Sequence, residues 1–394
     1  YRFDTHTEEV ENRCQKVFDV PGNVDSGQVV NAGNGALYRE LVNGSYVEGA
    51  LKYLKKDGSS VTIANQCIYY SVSPDKKRVL AGGNDPDDPV GTEKKFYLYN
   101  LVTEKKVQLT QVFCPQTLEE LLGVEASWNR DSRYVSLIDK VIDADAKGTI
   151  KKDFEVADAL MTMFCWSPDG QKLAFLYQSA SNAEYSIDLE NSSICLSDRI
   201  GIYNTWDGSI RYVDIPNGLA VDLVWGDDSK ELIARVVPTS KLETFIGNYQ
   251  PENVHPSEHM EYFDLIVIDL NQGQTRKVLA DYPVRSVNKY YENKLLLIYW
   301  KKGHSYIGVY DLNTKVFKDL IPGNSLLPYN YRSQVIITVP EGVYLLNQKL
   351  NIKRVVQWDQ CYPIIIFPEQ QTVVYNTNEC IKIVDLAPPN STTP

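Results

Sequence analysis

The sequence predicts an all-β protein, a β-propeller of four-stranded antiparallel blades. A short phrase recurs four times: Ser71-Val72-Ser73-Pro74-Asp75, Ser127-Trp128-Asn129-Arg130-Asp131, Cys165-Trp166-Ser167-Pro168-Asp169-Gly170 and Val224-Trp225-Gly226-Asp227-Asp228. Its anchors Val72, Trp128, Trp166 and Trp225 lie 56, 38 and 59 residues apart. Each copy is followed by an apolar strand: Val79-Leu80, Val135-Ser136, Leu173-Ala174 and Leu232-Ile233. A strand-turn-strand unit repeated at roughly 40–50 residues is the propeller signature. Composition agrees, with 26 Tyr against 3 Met and no amphipathic helical pattern beyond about three turns. The best helical candidate is 116–122.

The phrase has a physical reading. A strand ends in a large ring that can pack between two sheets. Pro at the next-but-one position presets φ for a type I turn, Asp or Asn binds its own backbone, and Gly170 tolerates positive φ. Only the copy at Trp166–Gly170 is complete. The others have lost Pro, Gly or both, as suits a repeat whose work is packing.

A second signature closes the outer half of each unit. Tyr97-Leu98-Tyr99-Asn100, Ile202-Tyr203-Asn204, Val267-Ile268-Asp269, Val309-Tyr310-Asp311, Leu345-Leu346-Asn347 and Ile383-Val384-Asp385 all end an alternating strand in Asp or Asn. Leu51-Lys52-Tyr53-Leu54 before Asp57-Gly58, and Val141-Ile142-Asp143 before Lys147-Gly148, are weaker members. Asp-Gly is a strong hairpin signal. Together the signatures mark eight units, starting near Asn31, Gln66, Glu125, Leu160, Ala220, Val284, Pro328 and Cys361. The count falls to seven blades if the first or third, the faintest, is not a blade. The organisation is a lead-in over 1–30, a propeller over 31–387 and a Pro/Ser/Thr-rich tail over 388–394. The last unit stops at its third strand near Leu386, and a strand at 28–31 is the expected piece that completes it.

Net charge is −11 over 394 residues, which argues against nucleic acid, since nothing would neutralise phosphates over a continuous surface. The lysine pairs, Lys301-Lys302 among them, fall at turns and strand ends, where solvated charge discourages edge association. No run approaches the roughly 18 apolar residues of a membrane span. The chain opens on Tyr1 and so reads as processed or excised.

Seven cysteines cannot all pair internally. Cys361 and Cys380 flank a strand pair whose antiparallel register brings their ends together, an expected disulfide. Cys14, Cys67, Cys114 and Cys195 allow two further bridges in three connectivities. Cys165, beside Trp166, reads as a small buried thiol. Sequons at Asn43, Asn191 and Asn390 fall in expected turns or tails. With the cysteine usage they point to a secreted or surface protein.

The stretch 69–188 resembles the propeller domain of dipeptidyl peptidase IV-like enzymes, of the prolyl oligopeptidase superfamily. The residues that carry the resemblance are Tyr70-Ser71-Val72-Ser73-Pro74-Asp75, Trp128-Asn129-Arg130-Asp131 and Phe164-Cys165-Trp166-Ser167-Pro168-Asp169-Gly170-Gln171-Lys172-Leu173-Ala174-Phe175. The expected Cys361–Cys380 bridge is similar to one in the family's last blade. The turn phrase is shared with TolB-like propellers. The resemblance implies adjacent glutamates before the strand of Phe164 that hold a substrate amino terminus. Here the stretch reads Asp153-Phe154-Glu155-Val156-Ala157-Asp158, with Glu155 alone. It also implies a hydrolase domain with a Gly-x-Ser-x-Gly elbow, and no such motif occurs in this sequence.

Other catalytic constellations are weak. His255-Pro256-Ser257-Glu258-His259 matches a zinc-peptidase spacing, but Pro256 breaks the helix that chemistry needs. Asp143-Ala144-Asp145-Ala146-Lys147-Gly148 starts like a calcium loop, yet Lys147 takes a ligand position and a hairpin turn is the better reading. Asp85-Pro86-Asp87-Asp88-Pro89 reads as a solvated acidic loop. No catalytic residue, metal or cofactor is expected.

A binding surface remains. Propellers bind at channel mouths and through oversized hairpins. The longest insertion, 237–262, carries Phe245, Tyr249, His255, His259 and Tyr262, aromatic and polar as contact surfaces are. A second insertion, 179–195, carries a sequon. The leading expectation is a non-enzymatic, secreted or cell-surface scaffold that binds a protein partner or itself. Its alternatives are the substrate-gating propeller of a larger dipeptidyl-peptidase-like serine peptidase, and a TolB-like envelope component.

Overall fold

The computed structural model describes residues 3–4, 30–32, 35–41, 49–55, 57–87, 93–116, 126–154, 159–179, 186–189, 192–226, 228–248, 262–291, 293–302, 304–322, 329–331, 334–339, 342–347, 350, 352–357, 362–367, 372–376 and 381–385. Two compact units are formed. The first takes in Tyr1–Leu121, Ala146–Thr149 and Tyr329–Pro394; the second takes in Leu122–Asp145 and Ile150–Pro328.

In the first unit, the strands Val30–Ala32, Gly35–Leu41, Gly49–Leu54, Ser60–Val72, Arg78–Asn84, Lys95–Asn100 and Lys105–Gln108 follow one another in a seven-stranded sheet. The long strand Ser60–Val72 serves two neighbours. Ser60–Cys67 pairs with Gly49–Leu54, and Tyr69–Val72 pairs with Val79–Gly82. Its register slips between Asn65 and Tyr69, where Gln66 has φ 43°; a bulge here bends one strand from one sheet into the next. The unit also holds the four-stranded sheet Tyr329–Tyr331, Gln334–Val339, Gly342–Asn347 and Ile352–Gln357.

The last sheet has Tyr362–Phe367, Thr372–Asn376 and Ile381–Asp385, and its fourth strand is Phe3–Asp4, running parallel to Ile381-Lys382. The strand expected at 28–31 is elsewhere. Val30–Ala32 pairs with Gly35–Leu41 instead, because a tight connection makes that antiparallel neighbour the nearest partner.

The second unit holds four sheets of four antiparallel strands each, all but Thr149 of their residues falling within it. These are Ala126–Trp128, Tyr134–Leu137, Lys140–Asp143 and Thr149–Asp153; then Ala159–Trp166, Lys172–Ser179, Arg199–Asn204 and Ile210–Asp214; then Gly218–Trp225, Glu231–Pro238, Phe263–Asp269 and Gln274–Tyr282; then Val284–Tyr291, Lys294–Lys301, His304–Asp311 and Phe317–Pro322. A small hairpin, Ser186–Leu189 with Ser192–Cys195, is inserted in the second. All eight starting points read from sequence fall within two residues of a strand start or, for Gln66, at the bulge of the long strand.

Period-two alternation explains how each sheet serves two cores. Ala174, Leu176, Ile200 and Ile202 pack with Trp225, Leu232, Ala234 and Val236 of the next sheet. Their neighbours Leu173, Phe175 and Tyr203 face the other way, onto Tyr134, Val141 and Phe154. Ile233, Leu265 and Val267 in turn meet Val284, Leu295, Leu297 and Tyr299. Gly201 stands directly opposite Phe175, and a Cβ there would lie 2.2 Å from the ring. The glycine makes the space that the aromatic ring fills.

The recurrent phrase folds the same way four times. The amides of Ser73, Asn129, Ser167 and Gly226 donate to the carbonyls of Arg78, Tyr134, Lys172 and Glu231, five residues on. The amides three residues on, at Lys76, Ser132, Gly170 and Ser229, donate back. Those four residues have φ of 58°, 61°, 70° and 58°. Gly170 therefore marks a left-handed position that its sister copies fill with Lys or Ser. Side chains complete the turn: Asp75, Asp169 and Asp228 accept from the amides of Lys77, Gln171 and Lys230. Ser73, Asn129 and Ser167 accept from Arg78, Tyr134 and Lys172.

The second signature is also a set of side-chain caps. Asn100, Asn204, Asp269 and Asp311 accept from amides two residues on, at Val102, Trp206, Asn271 and Asn313. The residue after the cap then ties outer hairpin to inner turn. Leu101, Ala144, Thr205 and Leu270 donate to the carbonyls of Lys77, Arg133, Gln171 and Lys230.

The tryptophans add a link between sheets. Trp166 Nε1 donates to the carbonyl of Ser127 at 2.8 Å, and Trp225 Nε1 donates to that of Cys165 at 2.9 Å. In both cases the acceptor is the residue just before the preceding sheet's tryptophan. Turn contacts reinforce this. Asn129 Nδ2 donates to Gly170 O, the amide of Asp169 donates to Ser229 Oγ, and Lys172 Nζ donates to Ser229 O.

Candidate interaction surface

The insertion after Pro238 starts as structure rather than loop. A 3-10 turn, Thr239–Lys241, leads into the helix Leu242–Asn248. Leu242, Phe245 and Ile246 form an apolar stripe at helical spacing, which packs on Leu196, Leu219, Val237 and Phe263. Phe245 is 5% exposed and meets Phe263 edge-on at 5.8 Å. It anchors the insertion. The helix expected at 116–122 is not begun at Gln116, which lies in a bend, and the rest of that stretch is outside the described residues.

Tyr262, at the insertion's far end, is 36% exposed. Lys241 Nζ lies 5.1 Å from its ring centroid and pairs with Asp281. Asp281 has φ 51° and donates its amide to Asp264 Oδ1 at 2.9 Å, and Asp264 pairs with Lys277. The exposed part of this patch is therefore one aromatic ring among paired charges. Tyr249, His255 and His259 lie outside the described residues, as do Glu155, the sequons at Asn43, Asn191 and Asn390, and Cys14, Cys361 and Cys380.

Cys67, Cys114 and Cys165 are free thiols, and no disulfide occurs among the described residues. Burial pushes Cys67 up to about 11 and Cys114 and Cys165 to about 12. They are poor nucleophiles at neutral pH. The acidic loop has a local use, since Lys106 Nζ reaches Asp85 at 2.5 Å and Asp87 at 2.7 Å. Asp143 pairs with Arg133 at 3.1 Å and accepts the Asp145 amide, closing a hairpin turn.

Two exposed features were not singled out in the sequence. Trp206 is 91% exposed at the tip of a turn. Arg285 is exposed with its guanidinium 5.8 Å from the Trp300 ring. A tryptophan beside Lys301-Lys302 was the available signal for the second.

No protein-family profile matches the chain, and no curated protein matches it in sequence. Solved structures do. A dipeptidyl aminopeptidase IV candidate from Bacteroides ovatus ATCC 8483 is 14% identical with a TM-score of 0.52, over 91% of this chain and 59% of that one. A prolyl endopeptidase is 11% identical with a TM-score of 0.51, over 89% of this chain and 52% of that one. An oligogalacturonate lyase in complex with manganese is 12% identical with a TM-score of 0.50, over 89% and 94%. This chain thus spans 59% and 52% of the length of the two peptidases. At such identities the likeness is one of fold, and the fold is a β-propeller.

Proposed function

We propose that the chain is a non-enzymatic, secreted or cell-surface β-propeller that serves as a protein-interaction scaffold. The propeller extends over 31–387, preceded by a lead-in over 1–30 that lends Phe3–Asp4 to the last sheet and followed by a tail over 388–394. The observation that carries this reading is the use made of the repeated residues. Ser73 and Ser167 donate their hydroxyls to Asp75 and Asp169, at 2.7 and 2.5 Å, inside closed turns. Side chains with catalytic chemistry are thus committed to architecture. Features outside the repeated turns, the anchored insertion with Tyr262 foremost, supply the contact surface, joined by Tyr249, His255 and His259. Glycans on Asn43, Asn191 and Asn390 and a Cys361–Cys380 bridge belong to the same reading.

A second reading, the substrate-gating propeller of a larger peptidase, is favoured by one observation: the chain spans 59% and 52% of the two peptidases compared above. Intact mass of the protein from its natural source, before and after glycan removal, separates the two. A deglycosylated mass near 44.7 kDa supports the scaffold. A mass larger by roughly 25–30 kDa, one further domain, supports the peptidase.

A further inference from the structure

One cation at the end of the fourth sheet of the second unit is held in place by its surroundings. Pairing between Val284–Tyr291 and Lys294–Lys301 slips between Val284 and Ser286. Arg285 is therefore the extra residue of a bulge, a device that re-aims a side chain out of the ladder. The bulge is clasped from the neighbouring sheet. Arg235 Nη1 donates to the carbonyls of Val284, at 3.2 Å, and Arg285, while its guanidinium lies 4.5 Å from the Phe263 ring centroid. The guanidinium of Arg285 lies 5.8 Å from the Trp300 centroid.

Neighbouring cations have acids: Lys301 pairs with Asp319, Lys241 with Asp281 and Lys277 with Asp264. Arg285 has no acid or hydrogen-bond acceptor for its guanidinium among the described residues. The same holds for the side chain of Lys302, exposed just after Lys301, which is opposite His304 in the strand register. Arg285 and Lys302 thus bring two exposed positive charges to one sheet end in a chain of net charge −11. A guanidinium against an indole keeps its in-plane N–H groups for a ligand, and their fork matches a carboxylate.

We infer that Arg285, supported by Lys302 and Trp300, is a carboxylate-recognition site for an acidic segment of a protein partner. This rests on the scaffold reading. The test uses the full 394-residue chain and two fluorescently labelled peptides, followed by anisotropy. One is hexaglutamate with an amidated end, the other a Gly-Ser repeat with a free C-terminal carboxylate. The expected result is saturable binding of one or both, weakening as salt rises. Side-chain or terminal carboxylate is then told apart by which peptide binds. Arg285→Gln should weaken it about tenfold or more, as for loss of a charge-assisted bidentate contact, and Lys302→Gln by a smaller factor. Lys230→Gln, at the opposite end of its sheet, should leave it unchanged. Failure of wild type to bind either peptide, or equal binding by Arg285→Gln, overturns the site. A natural partner that binds wild type and Arg285→Gln alike overturns the site while leaving the scaffold standing.

Discussion

Replacing Gly201 by Ala isolates what close packing contributes to this propeller. Gly201 is buried, its φ is outside the left-handed range, and its strand pairs it with Phe175. A new Cβ would lie 2.2 Å from Cε2 and Cζ of that ring. The ring cannot retreat freely, since Phe154 and Phe164 lie 5.1 and 5.6 Å from its centroid. Overpacking of this kind costs about 1–3 kcal/mol, and the expected loss is in the upper half of that range. Backbone strain is absent from the comparison, because Ala suits a strand. For a unit of about 200 residues the unfolding entropy is about 0.4 kcal/mol per degree, so 2–3 kcal/mol lowers Tm by about 5–7 °C.

Gly208→Ala is the companion variant. Its φ is +73° with nothing within 4 Å, so left-handed strain alone should cost about 1 kcal/mol. Thermal and urea unfolding of both, beside wild type, give the comparison. Gly201→Ala as stable as wild type, or no worse than Gly208→Ala, would refute the packing argument.

Further outcomes follow from the same contacts. Trp225→Phe removes the donor to Cys165 O and should cost about 1–3 kcal/mol in urea unfolding, although the ring is still aromatic. Burial opposes ionisation of Asp169, but hydrogen bonds from Ser167 and Gln171 outweigh it and hold the carboxyl below its ordinary value. Its stabilisation is then present above about pH 4 and is lost as pH falls through the lowered value; acid unfolding of Asp169→Asn should show a shallower loss. Cys67, Cys114 and Cys165 should resist N-ethylmaleimide at pH 7.5 in the folded protein and react in urea, read by peptide mass mapping. Rapid labelling of Cys67 or Cys114 in the folded state would contradict their burial, while half-buried Cys165 is protected by its raised value alone.

Much of the architecture was legible because turn chemistry is local. Asp75, Asp169 and Asp228 cap amides two residues on, so the same residue types recur wherever the turn does. The left-handed positions were legible only at Gly170. Lys76, Ser132 and Ser229 adopt the same φ without the residue that announces it. The tryptophan links left no mark beyond the ring itself, since their acceptors are backbone carbonyls that any residue supplies. The helix Leu242–Asn248 is shorter than an isolated helix can sustain; contact with Phe263 and Leu219 forms it, which local periodicity does not reveal. Phe3–Asp4 is too short to read as a strand without its partner at Ile381. Arg285 was hidden because its meaning depends on a bulge and on a clasp by Arg235, fifty positions earlier in the chain.

Trp166 and Trp225 each tie their own sheet to the one before it through the indole N–H. Hydrogen exchange at the indole Nε1 groups of 15N-tryptophan-labelled protein tests it directly. Protected resonances are predicted for Trp166 and Trp225, with fast exchange at Trp206. Equal exchange at all three indoles would contradict the account.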